Sequence, residues 1–221
     1  MIKAILFDMD GVLFDSMPNH AYAWSHAMTQ FGLAMTREEV YMHEGRTGSG
    51  TVNLLAQRFW GRDATEEEIR KIYAAKSALF AQLPKPKPIC GADVVVSTVR
   101  ELGYTIVLVT GSATDSLLNR LNESYPGIFT KEHMVTGYDV HYGKPHPEPY
   151  LIGLKKAGVN ADEAIVVENA PLGIESGHAA GIFTIGVNTG PLPDDVLWKA
   201  GADKVLPDMN ALNAFFLSLQ G

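Results

Sequence analysis

Short apolar runs that stop at acidic or glycine residues recur along this chain. The first, residues 2–7, is apolar at almost every position, carries the β-branched Ile2 and Ile5, and then meets Asp8 and Asp10. A consecutive rather than alternating run predicts a strand buried on both faces, as in a parallel sheet whose carboxyl-end loop carries the next residues. Similar runs at 106–109, 165–167 and 183–187 predict further strands, and helical spacing at 94–102 and 150–157 precedes two of them. Strands alternating with helices predict an α/β fold with a doubly wound, Rossmann-like parallel sheet.

Residues 16–83 break that alternation and read as helical. His20, Trp24, Ala27, Met28 and Phe31 are spaced as one helix face. Thr36-Arg37-Glu38-Glu39 and Thr65-Glu66-Glu67-Glu68 have the capping-box form that opens a helix. The second box leads an apolar stripe of Ile69, Ile72, Tyr73, Leu79, Phe80 and Leu83, ended by Pro84, Pro86 and Pro88. The expected organisation is therefore a core made of residues 1–15 and 84–221, with residues 16–83 inserted as a helical cap domain on two linkers.

With 221 residues, 46% of them hydrophobic, the chain can bury a substantial core. The amino-terminal apolar run is too short for a signal peptide, and nothing approaches a membrane span. Cys90 is the lone cysteine, so no intrachain disulfide is possible; a reducing cytoplasm is the expected compartment and Asn122-Glu123-Ser124 an accidental sequon. A formal net charge of −7 argues against a nucleic-acid surface and requires a local cation for any anionic substrate. No nucleic acid, no membrane and a monomer are expected.

The chemistry concentrates where the first strand ends. Phe7-Asp8-Met9-Asp10-Gly11 sets two carboxylates two residues apart before a glycine that permits a tight turn. One carboxylate can attack phosphorus while the other protonates the leaving oxygen and later activates water, and the pair suits a hard cation. This motif resembles the opening motif of the haloacid dehalogenase (HAD) superfamily, and three later segments resemble the others in order: Val109-Thr110-Gly111-Ser112, Gly143-Lys144-Pro145 and Val167-Glu168-Asn169. The resemblance covers essentially the whole chain. It implies a HAD-type core with a mobile cap, Asp8 as nucleophile and Asp10 as acid/base. Thr110 and Lys144 would contact the transferring phosphoryl group, with Ser112 as a neighbouring phosphate ligand. It also implies a Mg2+ site of Asp8, Asp10 through its backbone carbonyl, and Asn169, with Glu168 ordering coordinated water. The family's usual second acid is here Asn169, which removes a negative charge from the ion's ligands and lowers the expected metal affinity.

Asp15-Ser16 with His20, and the helical insertion, resemble the β-phosphoglucomutase-like subfamily. Two positions that are basic in its mutases, an arginine in the cap loop and a lysine after the second motif, align with Gly48 and Ala113. The loop His43-Glu44-Gly45-Arg46-Thr47-Gly48, the Glu168-Asn169 pair and Asn188-Thr189-Gly190-Pro191-Leu192 resemble instead the inorganic pyrophosphatase within that subfamily. That resemblance implies that Glu44 enters the site from the cap and shrinks the leaving-group pocket. Arg46 is open to a phosphate contact or a surface ion pair. His20 can orient acid/base chemistry or sit as a core histidine. Lys76 can contact phosphate or occupy a solvated helix face, the latter being the simpler reading, and Trp24, Phe31 and Tyr73 read as core packing. The sequence thus predicts a magnesium-dependent phosphohydrolase working through an aspartyl phosphate, with pyrophosphate as first expected substrate. A β-phosphoglucomutase or small sugar-phosphate phosphatase is the alternative, and a noncatalytic phosphate-binding protein comes third. The dehalogenase branch is disfavoured because it does not need the acid that Asp10 supplies.

Overall fold

The first strand, β1 (Ala4–Phe7), is buried along its whole length. Its alternate side chains enter different layers: Ile5 and Phe7 pack with Val95, Val99, Met209 and Phe216, whereas Ala4 and Leu6 pack with Val107, Val166, Tyr150 and Leu154. With helices on both faces the strand has no solvent side, which is why its apolar positions are consecutive. The computed structural model describes residues 1–112 and 117–219, with no account of the Leu117 side chain. Ala113, aligned above with a mutase lysine, lies outside the described residues.

Five more strands complete one all-parallel sheet: β2 (Thr105–Val109), β3 (Met134–Val135), β4 (Ala164–Glu168), β5 (Phe183–Val187) and β6 (Lys204–Leu206). Their order is β3-β2-β1-β4-β5-β6. Phe7 is in register with Leu108 on one side and Val167 on the other. The chain builds outward from β1 to β2 and β3, then returns to lay β4 against β1's other edge. The crevice at the carboxyl ends of β1 and β4 is thus the switch point where open α/β sheets bind ligands. The four predicted strands correspond to β1, β2, β4 and β5. The two outer strands β3 and β6 carry too few apolar residues to have been read from the sequence.

Between β1 and β2 lie α1 (Met17–Gln30), α2 (Arg37–Met42), α3 (Gly48–Trp60) and α4 (Glu66–Ala81), followed by α5 (Ala92–Glu101). Helices α1 to α4 share an apolar cluster of their own that includes Trp24, Met28, Leu33, Val52, Leu55 and Ile72. Both capping boxes form: Glu39 N–H donates to Thr36 Oγ1 at 3.1 Å while Thr36 N–H donates to Glu39 Oε2 at 2.8 Å, and Thr65 and Glu68 repeat the exchange. The two connecting segments run side by side, with Asp15 N–H donating to Lys87 O and Ile89 N–H to Leu13 O. The rest of the chain adds α6 (Leu117–Ser124), α7 (Glu148–Ala157), α8 (Pro171–Ala179), α9 (Asp194–Lys199) and α10 (Met209–Ser218). No helix among the described residues is long and apolar enough to cross a membrane.

Candidate active site

The segments after β1, β2 and β4, with the loop after β3, bring Asp8, Asp10, Thr110, Ser112, Lys144, Glu168 and Asn169 to one end of the sheet. The turn after β1 is held from several directions: Tyr125 donates its hydroxyl to Leu13 O at 2.6 Å, Gly11 N–H donates to Phe14 O, and Thr189 donates to Gly11 O. Asp8 is therefore presented by a fixed backbone, and it is almost fully buried.

Lys144 Nζ lies 2.5 Å from both Asp8 Oδ1 and Glu168 Oε1 and donates to Val109 O at 3.1 Å. Burial alone would strip its proton, but the two carboxylates reverse this and hold it above the usual lysine range. Asp8 is pushed up to about 8 by burial, opposed by Lys144 and reinforced by Glu168 and Asp10. Glu168 spends its oxygens on protein donors: Oε1 also accepts from the Tyr150 hydroxyl at 2.7 Å, and Oε2 from Asn169 N–H at 3.1 Å. In this arrangement Glu168 positions Lys144 directly.

Asp10 sits in a different field. Its Oδ1 accepts from Ser16 at 2.5 Å and faces His20 Nε2 at 3.4 Å and Arg120 at 4.0 Å; its Oδ2 accepts from Ser112 at 3.0 Å. Burial would raise Asp10, but His20, Arg120 and Ser16 outweigh it and hold the carboxyl below the ordinary range. His20 is lowered by burial and by Lys76, which favours the neutral ring. Lys76 Nζ lies 2.9 Å from its Nδ1, so a ring protonated at Nε2 donates to Asp10 while Nδ1 accepts from Lys76. His20 also packs against Phe80, ring centroids 4.5 Å apart and planes tilted by 37°, so it is at once a packed histidine and a site residue.

The solvated reading of Lys76 is wrong. The side chain is 7% exposed, with Nζ over the rings of Trp24, Tyr73 and Phe80, and burial pulls its pKa down to about 8. Position 76 continues the stripe through Ile69, Ile72, Tyr73 and Phe80 at helical spacing, a signal that its charge obscured. Trp24 and Tyr73 are not packing alone either, since both line the active-site cavity with Asp8, Asp10, Glu44, Lys76 and Thr110. That cavity measures ≈ 70 Å³.

The loop before α3 closes the cavity from the helical side. Glu44 is buried, and Asn169 Nδ2 donates to its Oε2 at 3.0 Å. The approach depends on missing Cβ atoms: one on Gly111 would stand 2.9 Å from Gly45 O, and one on Gly45 would stand 2.8 Å from Lys144 Cδ. Gly45 also adopts φ +85°, open to glycine at little cost. Arg46 is half-buried, lines the cavity, and has no partner for its buried Nε, which fits a ligand contact better than a surface ion pair.

Arg120 beside Asp10, Tyr150 beneath Glu168, and His43 in the cavity wall were not singled out from the sequence. Arg120 and Tyr150 act across 110 and 18 residues of chain, which no local pattern announces.

Among the described residues, no cluster of three or more His, Cys, Asp and Glu side chains is arranged to hold a metal by itself. The donor chemistry nevertheless fits a hard cation. Asn169 Oδ1 and Glu44 Oε1 are buried acceptors without a hydrogen-bond partner. Glu44 is driven well above its ordinary range by burial and by the charges of Asp8, Glu168 and Asp10. Orphaned oxygens among crowded carboxylates are what a divalent ion would satisfy, using a carboxylate, a backbone carbonyl and an amide.

This geometry has relatives. The structure superposes on "Putative beta-phosphoglucomutase from Bacteroides vulgatus" with a TM-score of 0.96 and 54% identity, covering 99% of this chain and 89% of that one. The chain is 32% identical to hexitol phosphatase A of Escherichia coli over 84% of its own length and 83% of that protein's. It is 29% identical to "Putative pyrophosphatase PpaX" of Clostridium perfringens over 92% of each. The family model for haloacid dehalogenase-like hydrolases matches residues 5–187, from within β1 to the end of β5. The chain is a haloacid dehalogenase-like hydrolase, a phosphatase of that family.

Proposed function

We propose that this phosphohydrolase acts through a covalent aspartyl phosphate on Asp8 and prefers a small, highly charged substrate, pyrophosphate first. The observation that carries the preference is the cavity itself, ≈ 70 Å³ between Asp8, Asp10, Thr110 and Ser112 below and Glu44, Arg46, Tyr73 and Lys76 above. That is far below the ~300–1,000 Å³ of pockets that hold drug-sized ligands, and it suits a phosphate leaving group better than a hexose.

In this reading Asp8 attacks phosphorus in line and Lys144 offsets charge on the nucleophile and the equatorial oxygens, assisted by Thr110. Asp10, charged in the resting arrangement, first takes up a proton and delivers it to the departing oxygen, then takes a proton from the water that hydrolyses the aspartyl phosphate. Ser16, Ser112 and His20 keep its carboxylate oriented between the two steps. Lys76 and Arg46 supply the local positive charge that the net −7 of the chain withholds. The closed loop carrying Glu44 excludes bulk water. Enzymes of this family generally use Mg2+, and we assign that ion to Asp8, the Asp10 carbonyl and Asn169. When bound it would supply positive charge that offsets the negative charge developing during phosphoryl transfer.

The names of the relatives favour the second reading, a sugar- or polyol-phosphate phosphatase or mutase, over pyrophosphate; the small volume of the cavity is what argues for pyrophosphate. Steady-state kcat/KM for phosphate release with magnesium, compared across pyrophosphate, hexitol phosphates and hexose phosphates, decides between them. A lead for pyrophosphate of more than about tenfold, roughly 1.4 kcal/mol of transition-state discrimination, supports the proposal. A lead for a hexitol or hexose phosphate, or interconversion of sugar phosphates without phosphate release, rejects it.

A further inference from the structure

We propose that Arg120 is a positioning residue for proton transfer by Asp10, holding the turn after β1 and the carboxylate it carries without touching the substrate. This inference rests on the acid/base reading of Asp10 above and adds a residue to it. Arg120 lies on α6 and does not line the active-site cavity. Its guanidinium meets the turn at three places. Nη2 donates to Met9 Sδ at 3.2 Å, Cζ lies 4.9 Å from the centroid of the Phe14 ring, and Nη2 stands 4.0 Å from Asp10 Oδ1. Met9, Asp10 and Phe14 belong to one turn, closed by Leu13 N–H and Phe14 N–H donating to Met9 O. Tyr125, which directly follows α6, holds the same turn through its hydroxyl on Leu13 O and its ring against Phe14, centroids 5.6 Å apart at 77°. The α6 segment thus grips the turn at two points, Arg120 and Tyr125.

Arg120 acts on Asp10 through charge and packing rather than a hydrogen bond. At 4.0 Å the guanidinium is beyond bonding distance of Oδ1, which already accepts from Ser16 at 2.5 Å. Its Nε is buried without a hydrogen-bond partner among the described residues. The flat cation is therefore oriented by the Phe14 face and by Met9. Its charge draws Oδ1 to the side of Ser16 and His20, which leaves Oδ2, bonded to the cavity-lining Ser112, for the proton transfer. Placement matters here because a shift of about 1 Å in a reacting group can cost ~10²-fold in rate.

The test compares wild type with Arg120→Met, Arg120→Gln, Arg120→Lys and Asp10→Asn by kcat/KM, which reports the steps up to departure of the leaving group. Acetyl phosphate expels acetate, which needs no proton, whereas pyrophosphate and glycerol phosphate expel oxygens that do. The readout is kcat/KM for the better of those two divided by that for acetyl phosphate, a ratio that a uniform loss through disturbed packing does not move. Asp10→Asn should lower the ratio most. Arg120→Met should lower it about tenfold or more, part of the ~10²–10⁴ that a positioned acid supplies, with KM changed by less than about threefold. Arg120→Gln is neutral and closer in length, guards against misfolding of the methionine variant, and should lower the ratio in the same direction. Arg120→Lys keeps the charge and should recover part of the loss; a ratio no higher than in Arg120→Met would overturn the role of the charge. If Asp10→Asn lowers the ratio and neither neutral variant does, the role of Arg120 is overturned and the acid/base reading stands. If Asp10→Asn leaves the ratio unchanged, both fall.

Discussion

The side-chain amide of Asn169 donates to the Glu44 carboxylate at 3.0 Å, joining the end of the sheet to the inserted helical layer. An aspartate at 169 would set two carboxylates face to face there. Asn169 therefore permits the closed arrangement while leaving Oδ1 free for a cation.

Asn169→Asp should bind magnesium more tightly and close less readily. A full charge a few ångströms from the ion is worth on the order of 1–4 kcal/mol between bulk-water and near-surface dielectrics, so affinity should rise about fivefold or more. Calorimetric titration of magnesium into both proteins measures this; equal affinities would remove the electrostatic account of the amide.

Lys144→Met should destabilise the protein by about 3–5 kcal/mol, because it leaves Asp8 and Glu168 buried without their shared cation. Adding Glu168→Gln removes one of those charges and should recover part of the loss in a denaturant melt without restoring turnover. If the double variant is no more stable than the single one, charge is not what Lys144 contributes to folding.

Lys76 has a folded-state pKa of about 8 against an ordinary 10.5, so the unfolded chain holds its proton more tightly. Burial of Lys76 thus opposes folding fully below pH 8, and that opposition fades as pH rises from 8 to 10.5. Lys76→Met should gain stability relative to wild type near pH 7, by at most about 3.4 kcal/mol at 1.36 kcal/mol per pH unit. The advantage should shrink across that window while activity is lost at every pH. Thermal melts from pH 7 to 10.5 check it, and a gap that does not change with pH contradicts the assignment.

Much of this site was legible because its chemistry lies in short motifs at strand ends. Asp8, Asp10, Thr110 and Asn169 each follow or closely trail an apolar run, Lys144 stands in a Gly-Lys-Pro loop, and the sheet then gathers them without further instruction from sequence. The insertion was legible from its capping boxes and from the three prolines after α4. What was hidden is long-range: Arg120 and Tyr150 matter because packing brings them under Asp10 and Glu168. The short outer strands β3 and β6, with two and three residues, offer too little pattern to read. Lys76 was concealed differently, by a charge that conflicts with its place on an apolar stripe; such local conflicts concentrate at functional sites.

Asp10→Asn should lower kcat by about 10²–10⁴-fold, the usual contribution of a positioned acid/base. The loss should fall on kcat more than on KM, because Asp10 lies beside the reacting oxygen and Lys76 and Arg46 remain to bind the substrate. An unchanged kcat would remove Asp10 from the chemistry.

The covalent role of Asp8 is tested most directly by rapid acid quench of enzyme, magnesium and excess pyrophosphate, followed by mass spectrometry of the peptide spanning residues 2–16. One phosphoryl group on Asp8 of the wild-type enzyme, absent from Asp8→Asn together with turnover, is the expected result. Phosphate release by Asp8→Asn at a rate near wild type would contradict the account.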